Sequence, residues 1–106
     1  MAKYLVEANY VGDGIKGLLK EGGTSRRAAV EAAAKTVGGS VDAFYYAFGE
    51  TDAYVIIDMP DNVTSAALAL TIAASGAVTL RTTALLTPED IDQAVKKSPS
   101  YRPPGQ

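Results

Sequence analysis

Apolar and polar residues alternate from Lys3 to Tyr10, which places Tyr4, Val6, Ala8 and Tyr10 on one side of a strand. Gly12 and Gly14 interrupt the run, and Ile15 to Lys20 has room for one helical turn before Gly22-Gly23. The period then changes. Val30, Ala33, Ala34 and Val37 recur at helical spacing, with Thr24 or Ser25 as the capping residue and Gly38-Gly39 as the stop. Alternation returns over Ser40 to Phe48 and Ala53 to Met59, two strands joined as a hairpin across Gly49-Glu50-Thr51-Asp52. Pro60 ends the second of these, and Asp61 or Asn62 caps a helix running to about Ser75. After Gly76, the segment Ala77 to Leu86 is rich in Val and Thr and forms a fourth strand. Thr87-Pro88-Glu89-Asp90 opens a short helix with Lys96-Lys97 near its end.

The order is β-α-β-β-α-β plus a C-terminal helix. Two right-handed crossovers on one antiparallel sheet make an α+β, ferredoxin-like domain over residues 1–97. Residues 98–106 hold Pro99, Pro103 and Pro104 and form an extended tail. Both long helices then cover one face of the sheet and leave the other open. In the third strand Ala53, Val55, Ile57 and Met59 belong to the helix side, so Tyr54, Ile56 and Asp58 face outward. The same parity gives the open face Leu5, Glu7 and Asn9, then Phe44, Tyr46 and Phe48, then Thr79, Arg81 and Thr83. A monomer rarely leaves such an aromatic surface in water, and the helix from Ala66 to Ala74 is apolar all round. A homodimer or larger assembly is expected.

Composition narrows the chemistry. A chain of 106 residues is one domain, and it contains no Cys and no His. Disulfides, thiolate nucleophiles and the usual zinc sets are excluded, as is the common general base near neutral pH, so neither a metal nor a cofactor is expected. Ten basic and twelve acidic side chains leave a net charge of −2, which gives no footprint for nucleic acid. Asn62 to Leu80 is uncharged, but Ala, Ser and Thr dominate it and no membrane span is expected. The first residues lack the apolar stretch of a secretory signal, so a cytoplasmic location is expected.

Three groups of residues are candidates for function. Gly12-Asp13-Gly14-Ile15-Lys16-Gly17 matches a dinucleotide fingerprint literally, yet lacks the strand, helix and acidic residue that pattern needs, and reads as a flexible turn. Thr24, Ser25, Arg26 and Arg27 stand at a helix start and could hold an anion; the competing reading is a capped helix with solvated arginines. Glu7, Asp58 and Arg81 share the outward parity, and charges among apolar neighbours are costly unless paired. With the first strand between the third and fourth, Glu7 can neighbour both others. One carboxylate could then act as a base while Arg81 holds an anion, or the group is a structural ion pair. Tyr46, Phe48 and Tyr54 join Arg81 as candidate ligand contacts.

Lys3-Tyr4-Leu5-Val6, Gly17-Leu18-Leu19-Lys20-Glu21-Gly22-Gly23, Arg26-Arg27 and Ala43-Phe44-Tyr45-Tyr46-Ala47-Phe48-Gly49 together resemble the GYD family of small bacterial proteins. The similarity continues through Tyr54-Val55-Ile56-Ile57-Asp58-Met59-Pro60-Asp61, Arg81-Thr82-Thr83 and Leu85-Leu86-Thr87-Pro88-Glu89. Thr51 stands before Asp52 where the family often has Tyr. The resemblance implies a dimeric α/β-barrel assembly and assigns no activity. It fits a homo-oligomeric module holding a small apolar or aromatic ligand between sheet and helices. The superfamily analogy offers an alternative, a cofactor-free oxygenase or isomerase acting on a small aromatic or anionic substrate. The two readings part on one point: whether a cavity remains, and whether a carboxylate points into it.

Overall fold

The computed structural model of the chain describes residues 1–106. Strand β1 (Ala2–Tyr10) is followed by helices α1 (Asp13–Glu21) and α2 (Gly23–Thr36), then by strands β2 (Ser40–Tyr46) and β3 (Ala53–Met59). Helix α3 (Asn62–Ala74), strand β4 (Val78–Leu85) and helix α4 (Pro88–Lys97) complete the order. The four strands form one antiparallel sheet in the order β2-β3-β1-β4, the arrangement expected of a ferredoxin-like α+β domain. Residues 98–106 lie outside helix and strand apart from a turn at Pro104–Gly105.

The apolar side of the sheet builds the core. Tyr4, Val55, Ile57 and Met59 are buried with Ala34 of α2 and Leu68 of α3, while Ala8, Ala53 and Val78 make a smaller cluster beside them. The Tyr4 hydroxyl donates to the side-chain oxygen of Asn62 and ties β1 to the start of α3. That start is fixed by Asp61, whose carboxylate accepts from the Thr64 backbone N–H at 2.7 Å. Thr87 and Asp90 form a reciprocal capping box at the start of α4, with Pro88 in the first turn.

Three local expectations are corrected. The glycine-rich stretch after β1 is not a flexible turn: Gly12 is the N-cap of α1, which is longer than a single turn. Gly14 has to be glycine, because a Cβ there would collide with the Ala77 carbonyl. Helix α2 begins at Gly23 behind Gly22 with no side-chain cap, so Thr24 and Ser25 lie within its first turn. The third correction concerns β2. Val41 pairs with Ile57 but Ala43 pairs with Ile56, so Asp42 is an extra residue, a β-bulge. One inserted residue reverses the parity of everything after it. Phe44, opposite Val55, and Tyr46, opposite Ala53, therefore face the helices, and Ala43 and Tyr45 take the open face. Phe48 lies beyond β2, fully exposed in the hairpin connection.

Candidate functional site

Between the sheet and the helices lies a cavity of about 260 Å³. Val6, Ala8, Ala53 and Val55 form its floor, Ala29, Val30 and Ala33 of α2 one wall, and Leu68, Ala69 and Ile72 of α3 the other. The cause is side-chain size. Alanines stand on both helices and on the sheet where close packing would need larger groups, and the space survives because α2 packs over β2 while α3 packs over β3 and β4. Of the residues lining it, only Arg26 carries a charge at neutral pH. No carboxylate reaches it.

Phe44 borders the cavity, and the Tyr46 ring packs beside it at a tilt of 53° with centroids 5.2 Å apart. The Tyr46 hydroxyl donates to the Gly23 carbonyl at 3.1 Å, fastening β2 to the start of α2. Gly23 permits this approach, since a Cβ there would sit 2.8 Å from the tyrosine ring. Burial, reinforced by a hydrogen bond with Tyr10, pushes the Tyr46 phenol up to about 12. It is a fixed donor at any physiological pH and a fastening residue.

The charged candidates stand on the opposite face of the sheet. Glu7 lies across from Arg81 on β4 and from Tyr54 on β3. Arg81 Nη2 is 3.3 Å from Glu7 Oε1, with the arginine side chain 72% exposed and the glutamate 22%. Asp58 is not part of that pair. It lies across from Lys3, four residues along β1, about 13 Å from Glu7 at the rise of a strand. Lys3 bonds Asp42 at the bulge and stands 3.4 Å from Asp58 Oδ2, while Asp58 Oδ1 is buried without a partner. The hydrogen bond to Asp42, with the charge of both carboxylates, holds the Lys3 ammonium above its ordinary range. Glu7 and Asp58 thus belong to separate ion pairs.

The residues at the start of α2 are likewise divided. Arg26 pairs with Glu21 at 3.4 Å and Arg27 with Glu31 at 3.9 Å, so both guanidinium groups have carboxylate partners. Tyr54 is partly exposed beside Glu7. The cavity walls on α2 and α3 have one trace in the sequence: alanines on stripes that face a sheet leave the space between layers unfilled. Asp52 is structural, since its carboxylate accepts from the Tyr10 backbone N–H at 2.9 Å.

The fold and site define a small α+β domain with an apolar cavity under its helices and paired charges on its open face. The model of the GYD domain matches residues 4–95, and the chain belongs to that family. Comparison with curated proteins and with solved structures gives no match. No helix is long and apolar enough to cross a membrane.

Proposed function

We propose that this GYD domain is a non-catalytic, self-associating module that takes a small apolar molecule into the space between its sheet and helices. The observation that carries this reading is the cavity itself, about 260 Å³, lined mostly by apolar side chains and reached by no carboxylate. An engineered apolar cavity of about 150 Å³ holds benzene, so this one has room for a bicyclic aromatic or a short branched chain. A polar end of such a ligand would meet Arg26, the one charged group in the wall. The carboxylates that could serve as a base lie across the sheet, which leaves acid–base chemistry in the cavity without its group. Self-association is supported by the open sheet face, which exposes Tyr45 and Tyr54, and by the family's resemblance to dimeric α/β barrels.

Indole is a suitable probe. Titration calorimetry is expected to show saturable binding of one indole per chain, insensitive to a chelator and with a negative heat-capacity change. Ala69→Phe, which projects a ring into the cavity, is expected to abolish it. Absence of binding, or binding that survives Ala69→Phe in a folded protein, contradicts the reading.

A further inference from the structure

The chain exposes too much of itself for a free monomer. Its accessible surface is 7424 Å², about 1,800 Å² more than the roughly 5,600 Å² of a compact monomer of this mass. The radius of gyration is 16.9 Å, against about 13 Å for a compact domain of this length. The C-terminal part contributes to both excesses. Every residue from Arg81 to Gln106 is exposed, and α4 buries none of its side chains.

A helix of ten residues standing alone is marginal in water, where isolated helices shorter than about 12–15 residues scarcely form. Yet α4 is firmly specified as a helix by its capping box, its Pro88 and its terminal lysines. It also carries an apolar stripe: Ile91, Ala94 and Val95 at i, i+3, i+4, with Ile91 48% and Val95 72% exposed. The outward face of α3 is its counterpart. Val63, Ala66, Ala67 and Leu70 repeat at helical spacing, Leu70 is 71% exposed, and α3 contains no charged residue. At about 15 Å, α4 fits within the roughly 20 Å length of α3, and the alanines permit close approach.

We infer that the C-terminal arm is exchanged between copies: α4 of one chain lays its stripe on the outer face of α3 of a second copy, and the reverse contact completes the pair. The second copy is favoured over the chain's own α3 for two reasons. Only Leu86 and Thr87 join β4 to α4, and the cap at Thr87 fixes the direction in which the arm leaves. The excess surface also falls within what one partner contributes to an obligate dimer, about 1,000–2,500 Å². The inference rests on the self-association proposed above and adds a second contact, through the arm, that contributes to it.

A full-length chain bearing a benzophenone amino acid in place of Val95 is mixed with ¹⁵N-labelled wild-type chain and irradiated. The expected product has twice the chain mass, and its cross-linked peptide joins unlabelled α4 to labelled residues 62–74. Cross-links confined to one chain, or joining α4 to another surface, overturn the inference. Ile91→Glu with Val95→Glu, and separately Leu70→Glu, place charge in the contact and should each weaken self-association by about a hundredfold with the circular dichroism of the body kept. An assembly that survives both sets overturns the arm and leaves self-association standing. A wild-type chain sedimenting as a single 11.0 kDa species at tens of micromolar overturns both.

Discussion

Arg81 keeps most of its side chain in water while Glu7 is mostly covered, and that asymmetry limits what their pair contributes. In dilute single chains a double-mutant cycle of Glu7→Ala and Arg81→Ala, followed by urea unfolding, should give a coupling below about 1 kcal/mol. A coupling of several kcal/mol at that dilution would mean the pair is desolvated within one chain. Asp61 is tested by pH. The Thr64 backbone N–H holds its carboxyl below the usual carboxylate range, so the unfolded chain binds the proton first. Its stabilisation is complete above the unfolded pKa and is lost as pH falls through the lower folded value. Asp61→Asn keeps a capping side chain and should flatten part of the acid-side fall in melting temperature between about pH 5 and pH 2. An unchanged acid limb would contradict the assignment. Two glycines of the Gly12–Gly17 motif should behave oppositely. Gly14→Ala meets the Ala77 carbonyl and should cost about 1–3 kcal/mol, whereas Gly17→Ala, with open space around it, should stabilise by about 0.4–1 kcal/mol. Chemical denaturation of the two variants decides this.

Among the elements, β3 was readable because its alternation is strict, and α3 and α4 because Asp61 and Thr87 advertise their caps. The facing of strand β2 was not, and the reason is physical. Asp42 leaves no mark in the hydrophobic pattern, since Val41, Phe44 and Tyr46 suit either parity until the pairing with β3 is known. That single bulge moved Phe44 and the candidate ligand residue Tyr46 from the open face to the helix face. The separation of Glu7 from Asp58 was equally hidden: shared parity shows that two residues face one way, and only the register shows how far apart they stand. The cavity follows from side-chain volumes, so adding volume should be tolerated. Ala69→Leu should raise stability by about 0.5–2 kcal/mol in thermal or urea unfolding. A loss of stability would mean that α3 already packs tightly there.

At the scale of the whole molecule, the strand order and the placing of both crossover helices on one sheet face were legible from the order of elements and the handedness of crossovers. The space beneath those helices was not, because periodicity reports which side of a helix is apolar and says nothing of how fully it packs. That space carries the proposed binding: it is apolar, and the carboxylates lie across the sheet from it. Xenon enters dry apolar cavities and leaves polar ones to water. Diffraction from a xenon-pressurised crystal therefore addresses the cavity directly. Density for xenon bounded by Val30, Leu68 and Ile72 is the expected result, with none at Glu7, Arg81 or Asp58. A collapsed space, or one filled by ordered water bonded to the protein, would contradict an apolar binding site.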